Sequence, residues 1–208
     1  MSNVIYKIAA ALLIVLVIGI MVVSCDSASI NNDAADAQGT VTMPIQNAPV
    51  IDWEGCSGKM NDHPCDFTLI DQNGMPWRLY AHTGDIIVLD ISTIWCMPCQ
   101  FAGAHAEESH DLYKDKGVIW VTVILENYFG QKPTLEDIKE WSMIFDIEDA
   151  TVLVGNLDLL DPSSLTGWYV NSLPLFVVID RNMITTYRLD GFNEKQIKIW
   201  VEELLAAD

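Results

Sequence analysis

The sequence predicts an α/β domain: a central mixed β-sheet flanked by helices, with an N-terminal β-hairpin extension. Three observations carry this. Residues 86–91 (IIVLDI) and 118–125 (VIWVTVIL) are near-continuous apolar runs, the pattern of strands buried on both faces. Segments of helical periodicity alternate with them, as a sheet with crossover helices requires. The chain then closes on two short strands joined by a turn and a last amphipathic helix.

The elements follow in order. Residues 67–70 (FTLI) and 77–80 (WRLY) flank Asp71-Gln72-Asn73-Gly74. Asn-Gly between apolar runs signals a hairpin, because both residues tolerate positive φ. After the first buried strand, residues 98–116 read as one helix, with Pro98 in the first turn, where its missing N–H is harmless, and Gly117 as the stop. Residues 134–145 form an amphipathic helix with Thr134 as N-cap and Leu135, Ile138, Trp141 and Ile144 or Phe145 as its apolar stripe. Residues 151–154 are a third strand. Residues 175–179 (LFVVI) and 184–189 pair around Asp180-Arg181-Asn182, and residues 193–206 close the chain with Asn193 and Gln196 placed like a capping box. Helices are expected on both faces of the sheet.

Half of the 208 residues are apolar, enough for one domain with a real core plus extra segments. Eleven Lys and Arg face 29 Asp and Glu, a net charge of −18. That balance repels a polyanion and excludes sequence-independent nucleic-acid binding. The run Glu136, Asp137, Glu140, Asp146, Glu148 and Asp149 reads as a solvated face, with a basic partner as the sharper alternative.

Residues 1–24 are an address. Lys7 precedes 16 apolar residues, 8–23, a length between a secretory signal and a short anchor. Val22-Val23-Ser24-Cys25 resembles the bacterial lipobox, which implies cleavage before Cys25 and lipidation of its sulfur. Asp26 resembles the mark for inner-membrane retention in enteric bacteria. Residues 25–48, rich in Ser, Asn, Asp, Ala and Gly, read as a lipidated flexible tether, and residues 49–208 as the domain. The expected location is the bacterial cell envelope, lipid-anchored and facing the periplasm or exterior.

Trp95-Cys96-Met97-Pro98-Cys99 follows the first buried strand and opens a helix. Two intervening residues on a first helical turn bring two sulfurs within bonding reach. Cys96 then sits at the helix N-terminus, where free N–H groups and the positive dipole end favour a thiolate, and Cys99 lies one turn in. The expectation is an exposed attacking thiol and a protected resolving one. With no second CxxC and no CxxH, a closed zinc site lacks donors.

At this point the chain resembles thioredoxin-fold proteins, most closely the membrane-tethered TlpA/ResA-like branch. The residues that carry the resemblance are 64–74 (PCDFTLIDQNG), 88–99 (VLDISTIWCMPC), and Leu173-Pro174 followed by LFVVID. It implies a thioredoxin-like fold and a thiol–disulfide oxidoreductase whose redox group is the Cys96–Cys99 pair, with no cofactor and no metal. It implies a cis Pro174 facing the pair, with Leu173, Trp95, Met97 and Pro98 as flanks. Asp90, six residues before Cys96, matches the buried acid that shuttles a proton for the resolving cysteine in thioredoxin. A carboxylate deprived of water exchanges protons near neutrality, so the role is chemically sound. The expected partners are protein disulfides or thiols and a membrane electron donor, because no cytosolic reductant reaches such a site. Pro98, where strong oxidants of this fold often have His, and Asp90 favour the reducing direction. The chain departs from the branch at Ala102 and Ala104, which replace a Glu and a Pro. The first removes support for apocytochrome reduction, and the second predicts a straighter active-site helix. Ser92 replaces an aromatic, which predicts less shielded sulfurs.

Cys56 and Cys65 enclose SGKMNDHP, a turn-rich loop. In an oxidising compartment they read as a structural disulfide. A second redox pair, or a metal site with His63, are the alternatives. His82, His105 and His110 share no ligand spacing with the CxxC. Trp168 and Tyr169 read as core, or as the lining of a substrate groove. Two other functions fit part of the pattern. A peroxiredoxin-type peroxidase would use Thr93, three residues before Cys96, but Leu89 stands where its Pro belongs. A copper-binding or delivery module would use the two soft thiolates.

Overall fold

The computed structural model describes residues 53–207. The expected signal peptide, Cys25 and the tether lie outside the described residues.

One seven-stranded mixed sheet organises the chain. Its strands are β1 (Thr68–Asp71), β2 (Pro76–Arg78), β3 (Ile86–Ser92), β4 (Val118–Ile124), β5 (Thr151–Val154), β6 (Leu175–Ile179) and β7 (Thr185–Asp190), in the order β2-β1-β5-β4-β3-β6-β7. β3, β4 and β5 run parallel, and β6 lies antiparallel to β3. The two apolar runs take the interior positions, where every backbone group is paired and both faces are covered. The predicted hairpin is present: β1 pairs with β2 and hands the sheet edge to β5. Gly74 supplies the positive φ of its turn, while the Asp71 carboxylate accepts the amides of Asn73 and Met75.

The helices are α1 (Met97–Gly103), α2 (Ala106–Tyr113), α3 (Leu135–Ile144) and α4 (Glu194–Ala206). Thr134 caps α3 in a reciprocal box with Asp137, and the Asn193 side chain accepts the Gln196 amide at the start of α4. In the stripe of α3, Ile138 and Trp141 are buried, Phe145 packs beside them, and Ile144 faces out.

Two expectations are corrected. Residues 98–116 are not one straight helix. The chain breaks at Ala104-His105, where the His105 amide bonds back to Ala102 and its ring Nδ1 lies 2.7 Å from the Phe101 carbonyl. The ring thus holds a carbonyl that the next turn would need. Gly103 marks the same point, since a Cβ there would come within 2.7 Å of the Trp141 ring. A missing Pro therefore does not straighten the segment.

Nor do α-helices cover both faces. All four contribute buried residues to one cluster, with Val88, Trp120 and Phe176. The opposite cluster holds Ile87, Leu89, Val121 and Val177, and none of its buried residues comes from an α-helix. It is covered by Trp77, by Leu79 and Tyr80 of a 3-10 turn (Leu79–His82), and by Trp168. The long connection from β5 to β6 carries Pro162 and Gly167 and is tied into turns by the Asp161 carboxylate, which accepts the amides of Ser163, Leu165 and Thr166. Those bonds compete with a helix, and the buried indole of Trp168 supplies the apolar cover instead. Trp168 is therefore core, and Tyr169 is half-exposed beside Arg188.

Candidate active site

β3 ends at Ser92 in the middle of the sheet, and the chain turns over the carboxyl ends of the parallel strands, where open α/β sheets place their chemistry. The segment after β3 is tied to the segment after β4: Leu125 donates its amide to Ser92, and Ile94 to Glu126. Trp95, exposed, is fixed by a 2.9 Å bond from Nε1 to Glu126.

Cys96 is the N-cap of α1, with extended φ and ψ, and its sulfur accepts the Cys99 amide at 3.3 Å. This is the geometry that stabilises a thiolate at a helix N-terminus. Pro98 occupies the first turn without disturbing it. Cys96 and Cys99 form a disulfide, with Cα atoms 5.2 Å apart. Cys99 has no accessible surface and Cys96 keeps 6% as a residue, so the expected order holds, but in the disulfide state Cys96 is buried rather than exposed. Met97 and Pro98, between them, face solvent. Gln100 reaches back to the Ile94 carbonyl and braces the turn.

The Leu173–Pro174 peptide bond is cis. β6 pairs with β3 so that Leu175 faces Ile91, which sets Pro174 beside the last residue of β3. Leu173 packs against the cluster that contains both active-site cysteines.

Asp90 has no accessible surface. Alternation along β3 puts it on the face of Val88, the face covered by α1, with Thr122 and Phe176 as its cross-strand neighbours. Burial pushes its carboxyl up to about 7, against hydrogen bonds from Ser92 and Thr122 that act to lower it. The Ser92 hydroxyl donates to Oδ1 at 2.6 Å and the Thr122 hydroxyl to Oδ2 at 3.4 Å. No charged side chain contributes to the shift. The group is thus poised to gain or lose a proton near neutrality, on the sheet face that α1 covers.

Sequence reasoning missed both hydroxyls. Ser92 was legible, since two residues along a strand share a face. Thr122 was not, because its place opposite Asp90 depends on the β3–β4 register. The substitution of an aromatic by Ser92 therefore adds a hydrogen-bond donor rather than merely opening the site.

The other cysteines pair as expected. Cys56 and Cys65 form a disulfide with Cα atoms 4.8 Å apart. The ring of His63 stacks on Trp53 and its Nδ1 lies 2.8 Å from the Met183 carbonyl, so it turns to packing rather than to a metal site with these sulfurs. His82 stacks on Trp77, and His110 accepts the Trp120 amide. Of the acidic run, Asp137 caps α3 and Asp149 pairs with Lys114, while Glu136, Glu140, Asp146 and Glu148 are exposed.

Solved structures similar to this chain share the architecture. One is described as a thiol:disulfide interchange protein DsbE from Chlorobium tepidum, at 25% identity and TM-score 0.55, with 72% of this chain and 97% of that one covered. Another is the exposed lipoprotein thioredoxin of Streptococcus pneumoniae, at 26% identity and TM-score 0.55, covering 67% and 100%. A third is the thioredoxin domain of a thiol-disulfide oxidoreductase from Bacteroides vulgatus, at 16% identity and TM-score 0.57, covering 73% and 99%. No family model and no curated protein matches the sequence.

Proposed function

Because the chain is a thioredoxin-fold thiol–disulfide oxidoreductase whose redox group is its own Cys96–Cys99 pair, we propose that it acts as an extracytoplasmic, membrane-anchored reductase of protein disulfides. The observation that carries the reading is Asp90, sealed under the active-site helix with its carboxyl pushed up to about 7.

The Cys96 thiolate attacks one sulfur of a substrate disulfide and expels the other as a thiolate. The substrate is then held on Cys96 as a mixed disulfide. The Cys99 thiol passes its proton to the Asp90 carboxylate, and its sulfur displaces the substrate from Cys96. The substrate leaves as two thiolates that take their protons from water; it has gained two electrons, the Cys99 proton rests on Asp90, and the protein pair has become a disulfide. A membrane electron-donor protein with a dithiol of its own restores it by the reverse steps, in which Asp90 returns its proton to the departing Cys99. Leu173 and cis Pro174 supply the edge against which an extended substrate pairs, with Trp95, Met97 and Pro98 as its other border.

The reducing direction rests on what stands between the cysteines. Neither Met97 nor Pro98 offers a charged or donor side chain to Cys96, so its thiolate has only the helix N-terminus. A less stabilised dithiol is the stronger reductant. Export and anchoring rest on residues 1–25 and on the lipoprotein named among the similar structures. Among the described residues no helix is long and apolar enough to cross a membrane; in the proposed reading the attachment is the N-terminal segment. The Cys56–Cys65 disulfide is a structural staple.

The reduction potential of Cys96/Cys99 tests the direction. The expected value is near that of thioredoxin, about −270 mV, and a value near about −120 mV, as in the strong periplasmic oxidant, overturns the reductase reading.

A further inference from the structure

Two cavities open on one side of α1 and share Gln100 and Phe145 as walls. One, of about 400 Å³, lies between Ile94, Tyr128, Glu140 and Ile144, and the other, of about 260 Å³, between Met97, Phe101 and Ala104. Ile94 and Met97 lie two residues before and one residue after Cys96, so each cavity has a wall within two residues of the reactive cysteine. Met97, Phe101, Tyr128 and Ile144 are each more than half exposed, an apolar surface of the kind that marks an interaction site.

The charge lining this groove has one sign. Asp137 and Glu140 are its only charged walls. Asp137 is engaged by the Thr134 cap, whereas Glu140 has no hydrogen bond or ion pair among the described residues. Lys132 and Lys139, the nearest cations in sequence, line neither cavity. The net charge of −18 adds a long-range pull in the same sense.

The geometry points to a substrate class for the proposed exchange reaction: an extended polypeptide segment carrying an apolar side chain, followed by Lys or Arg, about three residues beyond its disulfide-bonded cysteine. This rests on the reading of Cys96 as the attacking thiol. Cys96 is recessed, 6% exposed as a residue in the disulfide form, which favours an extended strand over a rigid surface as the substrate. The seven residues of α1 span about 10 Å, the reach of about three extended residues. A chain bonded to Cys96 and laid along α1 therefore carries its second and third residues past Phe101 and Ala104, with Phe145 as the shared wall and Glu140 in the adjoining cavity. Each apolar contact lowers the barrier for the captured segment, and Glu140 selects its charge.

The test uses the full chain, reduced beforehand, and single-turnover rate constants. The probes are three nine-residue peptides whose single cysteine is in mixed disulfide with 2-mercaptoethanol. At the third and fourth positions beyond the cysteine they carry Leu-Lys, Leu-Glu or Ser-Ser. The disulfide of 2-mercaptoethanol is the small reference. The Leu-Lys peptide is expected to react about tenfold faster than Ser-Ser and about threefold faster than Leu-Glu. Glu140→Lys should reverse the order of the two charged peptides, and Tyr128→Ser with Ile144→Ser should bring Leu-Lys and Ser-Ser together. The ratios are the readout, so a general loss of reactivity does not imitate the result. Equal rates for the three peptides, with the small disulfide reduced, overturn the groove and leave exchange standing. Failure to reduce any of the four overturns the exchange reading and the groove with it.

Discussion

The described residues hold two disulfides of nearly equal reach, with Cα atoms 4.8 and 5.2 Å apart, in opposite surroundings. Cys56–Cys65 closes a loop that is already knitted to the rest. Ser57 donates its amide to the His63 carbonyl, Asn61 and Asp62 exchange backbone bonds with Thr185, and the Tyr80 hydroxyl holds the Pro64 carbonyl. The loop also carries Asp62, whose carboxyl the Ser57 hydroxyl and the His63 amide hold below its ordinary value. A fixed negative charge in the same short loop works against a thiolate. Cys96–Cys99 sits instead at a helix N-terminus, over a sealed carboxyl that takes up protons near neutrality. The bond is the same; in the proposed reading the surroundings make one a staple and the other a reagent.

The largest contrast is in activity. Cys96→Ser should abolish disulfide reduction, a loss of more than about 10³-fold for a removed nucleophile, while Cys56→Ala with Cys65→Ala should leave the rate per folded molecule within about twofold. Parallel turnover of a small disulfide reads both. Equal losses in the two variants would break the comparison.

The second contrast is electrostatic. The carboxyl of Asp90 is raised to about 7 in the fold, against an unfolded value near ~3.9. The native state therefore binds the extra proton between those values, and stability falls as pH rises from about 4 to about 7. Asp90→Asn keeps an acceptor for Ser92 and Thr122 and removes that loss. It should exceed the parent in stability at pH 8 by on the order of 2–4 kcal/mol and match it at pH 4, as read by denaturant unfolding. No gain at pH 8 would mean that Asp90 is not destabilised by burial.

The staple comes next. Removing both Cys56 and Cys65 frees a loop of about 10 residues and should cost about 2.7 kcal/mol in the chain-entropy model, measured by the same unfolding experiment. The smallest effect is at Ser92. Loss of its hydroxyl in Ser92→Ala removes a donor to the charged form of Asp90 and should move the pH midpoint of exchange upward by on the order of one unit, with Ser92→Thr restoring it. A midpoint that stays in place would reduce Ser92 to a packing residue.

These contrasts differ in how far the sequence announced them. The strand–CxxC–helix order, the hairpin at Asn73-Gly74 and the apolar central strands rest on local periodicity and turn chemistry, and they stand in the fold. Asp90 was visible as one acid in an apolar run, and Ser92 shared its face by alternation. Thr122 and the tie between Trp95 and Glu126 depend on which strands pair and in what register, which no local pattern encodes. The break at Ala104-His105 lies where the His105 ring takes the Phe101 carbonyl and Gly103 passes close to the Trp141 ring, a tertiary setting that a helical pattern does not announce. The second face has no α-helix among the described residues: the Asp161 carboxylate ties the connection from β5 to β6 into turns, and Trp77, Tyr80 and Trp168, distant in sequence, cover the sheet together.

The central claim is that Asp90 takes the proton of Cys99 while the substrate is bonded to Cys96. The rate at which a preformed Cys96 mixed disulfide is resolved, followed against pH in the parent and in Asp90→Asn, tests it most directly. The account predicts a rate that rises through a midpoint near 7 in the parent and loses that limb, with at least about a tenfold slower resolution at pH 8, in the variant. Superimposable profiles for the two proteins would contradict it.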